Sequence, residues 1–135
     1  DEGSNWEGLM TIRHYNLTNC ITIVDRNHCM IDGNTEDVMK LEPLADKFVA
    51  FGFHTIVCEG NNIVSLCKAI DEAHKTKDKP TVIVADTIKG VGIKLTSGNY
   101  KWHYGAIDEE MAKVAAKDLD EYSAERIARC GKEFE

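Results

Sequence analysis

Three short apolar runs, rich in β-branched residues, mark out the chain: Cys20–Val24, His54–Cys58 and Thr81–Ala85. Each is nearly continuous rather than alternating, the pattern of strands buried on both faces in a parallel sheet. Between them the apolar residues return at helical spacing. Leu41, Leu44, Phe48 and Phe51 predict a helix, with Gly52 as its C-terminal cap. Ile63, Leu66, Cys67 and Ile70 predict a second, ending where Lys75 and Lys77 complement its dipole. Pro43 and Pro80 each stand where an element should begin. Further helices are predicted over Trp6–Tyr15, with Ser4 or Asn5 as N-cap, and over Glu109–Leu119. Ser123 is read as the cap of a last short helix ending near Gly131. Strands alternating with helices predict an α/β fold: a three-layer parallel sheet with flanking helices.

Composition narrows the function classes. At 135 residues the chain is one ordinary domain and can bury a core. With 43% hydrophobic and 29% charged residues it reads as a folded chain rather than a disordered one. Sixteen Lys and Arg against 23 Asp and Glu give a net charge of −7, which argues against a nucleic-acid partner. No apolar stretch approaches the ~18 residues of a membrane span, so no membrane partner is expected. Five cysteines, with no Cys-x-x-Cys pair, argue against a disulfide scaffold or structural zinc and for a reducing, cytoplasmic setting. The chain opens on Asp1-Glu2-Gly3-Ser4 without an initiator Met, so an incomplete N-terminus is expected.

Two segments lack a regular pattern, Asn27–Asp37 after the first strand and Thr87–Asp108 after the third. Ligands of open parallel sheets bind beyond the carboxyl ends of the strands, so both are site candidates. Asn27 could offer its amide oxygen to a hard cation such as magnesium. Asp and Asn also form turns, and on local chemistry alone Asp32-Gly33 reads as one. Gly90-Val91-Gly92 could admit a phosphate to backbone N–H groups, but most such pairs are plain turns. His103, beside Gly105 and aromatics, could contact phosphate or move a proton; without context it reads as a surface histidine. Glu7 reads as a helix-dipole complement and Cys29 as an inert thiol.

Order and spacing carry more than any one motif. Glu2-Gly3-Ser4-Asn5-Trp6-Glu7, His14-Tyr15, Leu17 and Asn19 come first, then Ile23-Val24-Asp25 with Asn27, and Ile31-Asp32-Gly33 with Thr35-Glu36. Leu44-Ala45-Asp46-Lys47-Phe48, Ala50-Phe51-Gly52 and Glu59-Gly60 follow, and then Lys79-Pro80-Thr81-Val82-Ile83, Thr87–Gly92 and Lys101-Trp102-His103. This series resembles the thiamine-diphosphate-binding part of transketolase, most of all the N-terminal subunit of two-subunit transketolases. The resemblance runs to about residue 119. It implies a thiamine-diphosphate-binding fold incomplete at its N-terminus over residues 1–119, and a C-terminal helical tail over 120–135.

The resemblance also implies chemistry. A two-carbon ketol unit would pass from a ketose phosphate to an aldose phosphate, with thiamine diphosphate anchored through magnesium. Asn27 matches the family's metal-binding Asn, and Cys29 the position whose backbone carbonyl binds the metal. His103 matches the catalytic histidine that reaches the diphosphate and substrate. Glu2 matches an acidic residue at the subunit interface near the paired cofactor sites. The family's Gly-Asp-Gly motif would fall just upstream, with its Asp about four positions before Asp1, so Asp1 is not that ligand. Gly8, Asn16, Val91 and Ile107 stand where the family usually has Ala, Lys, Lys and Pro. A pyrimidine-binding half, on a second chain or a later domain, would complete a homo- or hetero-oligomer. Three other readings remain: a related thiamine enzyme of deoxyxylulose-phosphate synthase or 2-oxoacid dehydrogenase type, an inactive fragment or binding piece, and a flavodoxin-like binding domain.

Overall fold

The last of the three runs, Thr81–Ala85, forms the middle strand of the sheet. The computed structural model describes residues 2–133, so Asp1 and the last two residues of the expected tail lie outside the described residues. Strands β1 (Ile21–Arg26), β2 (His54–Glu59) and β3 (Thr81–Asp86) form a parallel sheet in the order β1-β3-β2. Ile21 and His54 both stand opposite Thr81, and Arg26 and Glu59 both stand opposite Asp86. The three carboxyl ends are therefore level. β3 is buried from Thr81 through Ala85, which explains its unbroken hydrophobicity. The outer strands are less covered and carry Ile23 and Val57 exposed.

Helices α1 (Gly3–His14) and α3 (Leu44–Ala50) pack on one face of the sheet, where Leu9, Leu44, Phe48 and Phe53 meet Val82 and Val84. Trp6 stacks on Phe48 with ring centroids 5.6 Å apart and meets Phe51 edge-on at 5.8 Å. The next residue along β3, Ile83, points to the other face and meets Ala69 and Ala73 of α4 (Ile63–Lys75). Two alanines there let the helix lie close to the strand. The expected three layers are thus present: α1 and α3, the sheet, and α4.

Local chemistry sets the ends of these helices. Gly52 adopts φ +90° after α3, its N–H bonds the Val49 carbonyl at 2.9 Å, and the Phe53 N–H bonds the Phe48 carbonyl at 3.1 Å. This is a Schellman ending, with Phe48 and Phe53 packed in one cluster. Asn62 caps α4, its side chain accepting the N–H groups of Val64 and Ser65 at 3.0 and 3.2 Å. At Gly60 the backbone passes so near β3 that an added Cβ would lie 2.9 Å from the Ala85 Cβ.

Two capping expectations fail. α1 starts at Gly3 rather than Trp6; Glu2 precedes it without a side-chain cap bond, and the Asn5 N–H bonds the Glu2 carbonyl at 3.1 Å. A backbone turn therefore replaces the predicted Ser4 or Asn5 cap. At the other end, α5 runs unbroken from Glu109 to Glu133, so Ser123 lies inside it and starts no new helix. Asp108 caps α5, accepting the Met111 N–H at 2.8 Å. Its body, rich in Ala, Glu and Lys and free of Pro, gives the chain no reason to break at Ser123.

The chain divides into two compact units. One comprises the residues up to Arg26 together with Met39–Thr87, and holds the sheet, α1, α3 and α4. The other comprises Asn27–Val38 and the residues from Ile88 onward, and holds α2 (Thr35–Val38), a 3₁₀ turn (Tyr100–His103) and α5.

Candidate functional site

Both loops singled out from the sequence begin where the chain leaves β1 and β3; the first belongs to the second unit, as does the other from Ile88 on. Asn27 is half-buried, and its Oδ1 accepts the Cys29 N–H at 3.0 Å. Between them His28 adopts φ +61°, a left-handed conformation that is uncommon for a residue with a Cβ. The His28 carbonyl accepts both the N–H of the buried Thr35, at 3.0 Å, and its hydroxyl, at 3.5 Å. Cys29 bridges antiparallel to Asn34, and the Met30 N–H bonds the Gly33 carbonyl at 2.7 Å. The segment expected to lack pattern is therefore a narrow closed loop ending in α2. Gly33 is buried, and an added Cβ would sit 2.9 Å from the Val38 Cγ2, so Asp32-Gly33 is a turn with a packing requirement.

The second loop is also closed. The Gly98 N–H bonds the Lys89 carbonyl at 2.8 Å, and the Thr96 hydroxyl bonds the Gly90 carbonyl at 2.8 Å. Gly90 and Gly92 have φ of +64° and +100°, and a Cβ on Gly92 would come within 3.1 Å of Leu119 and 3.2 Å of Tyr122. Both glycines thus serve turn geometry, and Gly92 also serves contact with α5. Asn99 follows the loop, its side chain accepting the Lys101 N–H at 3.1 Å at the start of the 3₁₀ turn. That turn ends at His103, whose exposed ring meets Tyr104 edge-on at 6.0 Å. The two loops meet where the Cys29 Sγ faces the Gly98 carbonyl at 3.9 Å.

Asn27 and Cys29 are therefore joined directly, and His103 stands in the same unit. Glu2, exposed at the start of α1, lies in the first unit. Among the described residues, no group of three or more His, Cys, Asp or Glu is placed to hold a metal ion.

Sequence reading gave no structural role to several residues in, next to or bonded to these loops. Thr35 is one. Arg26 is another: it is buried at the end of β1 and pairs with Glu42 through two contacts of 2.9 Å. Asp118 on α5 is a third. Its Oδ2 accepts the Lys94 backbone N–H at 2.9 Å, and its Oδ1 lies 3.3 Å from the Lys94 ammonium, which also meets Glu121 at 2.7 Å. One signal was available for Asp118: it falls on the helical stripe of Met111, Ala115 and Tyr122.

The charges of this cluster shift one another. The Lys94 backbone N–H, aided by its ammonium, holds the Asp118 carboxyl below its ordinary value. The Lys94 ammonium, hydrogen-bonded to Glu121, lowers that carboxyl too, while Glu121 first and Asp118 second raise Lys94. Two depressed carboxyls bind fewer protons in the folded than in the unfolded chain. Their contribution is present above the unfolded carboxylate range and is lost as pH falls through the folded values. The lysine contribution is present below its unfolded value and lost only at strongly alkaline pH. Melting temperature should therefore decline on the acid side, from about pH 5 downward. Asp118→Asn should flatten that limb, and an unchanged acid limb would show that Asp118 does not contribute to it.

Three comparisons bear on these loops. A family model described as the thiamine diphosphate binding domain of transketolase matches residues 1–125. A 6-deoxy-6-sulfo-D-fructose transketolase subunit from Clostridium sp. (strain MSTE9) is 36% identical over 124 residues, covering 92% of this chain and 45% of that protein. An apulose-4-phosphate transketolase subunit from Phocaeicola vulgatus is 33% identical over 132 residues, covering 98% of this chain and 46% of that protein. The chain thus spans under half the length of these relatives. Among solved structures, a transketolase from Campylobacter jejuni superposes with a TM-score of 0.78 at 28% identity, over 88% of this chain and 18% of that one. A transketolase from Leishmania mexicana gives 0.70 at 30% identity, over 94% and 22%. The chain belongs to the transketolase family, as part of its thiamine-diphosphate-binding domain or subunit.

Proposed function

We propose that this chain supplies the diphosphate- and magnesium-anchoring part of an enzyme that moves a two-carbon ketol unit from a ketose phosphate to an aldose phosphate. The observation that carries the reading is Asn27. Within the segment matched to the family, its amide oxygen is fixed by the Cys29 N–H and half-buried at the end of a strand. A carboxamide oxygen keeps a second lone pair when it accepts one N–H. Neutral oxygens from Asn27 and the Cys29 backbone carbonyl suit magnesium, whose charge the diphosphate would balance. The Cys29 thiol faces the Gly98 carbonyl, which supports a backbone rather than a sulfur ligand at that position. Thiamine diphosphate, when bound, supplies the electron sink for the two-carbon unit.

His103, exposed at the end of its 3₁₀ turn, would orient the diphosphate and hold a proton at a reacting oxygen. Glu2 would face a partner protomer near the paired sites. The partner would carry the pyrimidine-binding half, and the substrates would be sugar phosphates in the cytoplasm. Residues 1–119 would form the cofactor-domain part, with 120–135 as its helical tail. Among the described residues, no helix is long and apolar enough to cross a membrane.

The test is ketol transfer by the complete enzyme carrying His103→Ala. Removing a group that stabilises charge at a reacting oxygen should lower kcat by roughly 100-fold. Because the ring is exposed, stability should change by no more than about 0.5 kcal/mol. Wild-type turnover in this variant would remove His103 from the site.

A further inference from the structure

Helix α5 presents an oddity. Among its residues whose side chains are described, Asp118 alone is buried, at 6% exposure. A carboxylate is the wrong residue for a helix's buried position unless it is paired and hydrogen-bonded, because burial strips its hydration. Asp is also a poor helix former in a helix interior. Asp118 does have its partners, and both come from Lys94. Lys94 lies near the middle of the loop that closes at Lys89–Gly98 and Gly90–Thr96. A bond to the Lys94 backbone N–H fixes main chain rather than a mobile side chain. Close by, Gly92 rests against Leu119 and Tyr122 of the same helix. The loop is thus held to α5 at two neighbouring points, by packing at Gly92 and by a charge-assisted bond at Lys94.

From that anchor the chain leads to the candidate catalytic histidine in nine residues. The Asn99 N–H bonds the Thr96 carbonyl at 3.1 Å, the Asn99 side-chain amide bonds the Leu95 carbonyl at 3.3 Å, and the 3₁₀ turn from Asn99 ends at His103. Asn99 is thus bonded back to Leu95 and Thr96 and forward to Lys101 and Trp102, so it ties the loop next to Lys94 to the turn that carries His103.

We propose that Asp118 is a positioning residue: by holding the Lys94 amide it sets the loop from which His103 is presented to cofactor and substrate. This rests on the reading of His103 given above. It does not make Asp118 a catalytic residue. The effect should fall on turnover, since a misplacement of about 1 Å at a reacting group can cost up to 100-fold.

The experiment uses the complete enzyme well below its melting temperature. Asp118→Ala should lower kcat by roughly 10- to 100-fold, with the KM of each sugar phosphate within about twofold. Asp118→Asn keeps an acceptor oxygen for the Lys94 N–H and should restore kcat to within about threefold, although it removes the charge. Ile70→Ala, on the sheet face away from α1 and α3, should lower the melting temperature without lowering kcat. If Asp118→Ala lowers only the melting temperature, as Ile70→Ala does, the positioning role is overturned. Should Asp118→Ala fail to fold, amide exchange in the wild-type enzyme decides: the Lys94 amide should be among the slowest of residues 88–98, and fast exchange there overturns the anchor. His103→Ala separates the two readings. If it leaves turnover intact, the role of His103 fails and this inference with it; if it acts and Asp118→Ala does not, only this inference fails.

Discussion

Replacing Asn27 with Ala should weaken magnesium-dependent binding of thiamine diphosphate to the complete enzyme by at least about 100-fold. Losing an outer-shell partner of a metal site already costs 10- to 100-fold, and Asn27 is proposed as a direct ligand. The same side chain has a second duty, accepting the Cys29 N–H, and the two must be separated. The turn contribution is a single neutral hydrogen bond, worth about 1 kcal/mol, and it is present with or without metal. The metal contribution appears only when magnesium and cofactor are both added, as the rise in melting temperature that a bound ligand confers. The expected result is therefore a small drop in melting temperature without ligands and the near-disappearance of the rise with them. Asn27→Asp keeps an oxygen for both duties and should retain most of the rise. Wild-type cofactor affinity in Asn27→Ala, beside a lowered ligand-free melting temperature, would leave Asn27 as a turn residue and nothing more.

That double duty explains why the site is hard to read from residues alone. Local chemistry makes Asn27 and Asp32-Gly33 turn formers, and the structure shows that they are. A turn bond and a metal bond use different lone pairs of one oxygen, so a correct turn reading does not exclude the ligand. Only the order of motifs along the chain separates them, which is why Asn27, Cys29 and His103 come from the resemblance rather than from spacing. The strands are legible for a simpler reason. β3 is buried on both faces, and such a strand must be apolar at nearly every position. Gly52 is legible because a left-handed helix ending favours glycine. Ser123 misleads because a serine at a plausible cap site says nothing of the helix formers around it, which carry α5 straight through. Asp118 is nearly invisible: it sits between Lys117 and Leu119 in a charged helix, and the bond that makes it matter comes from a backbone N–H 24 residues away.

The largest expected effect on stability is at Phe48. It is 3% exposed, and it packs with Leu9, Leu44, Phe53, Val82 and Val84 while Trp6 stacks on its ring. It also supplies the carbonyl that accepts the Phe53 N–H in the ending of α3. Phe48→Ala should cost about 3–5 kcal/mol, the sum of lost transfer energy and the cavity left behind. The Trp6 stack contributes about 0.5–1.5 kcal/mol of that, so Trp6→Ala and Phe48→Ala should be less than additive. The backbone bond to Phe53 survives the change, so the loss reports packing rather than capping. Against a total stability of about 5–15 kcal/mol, one side chain then decides whether α3 stays on the sheet. Phe48→Leu, which fills more of the volume, should cost less than the alanine. Denaturant unfolding of the full-length protein measures the loss. A loss below about 1 kcal/mol, the size of an ordinary surface change or a small trim, would mean that this face of the sheet is not the close-packed core described here.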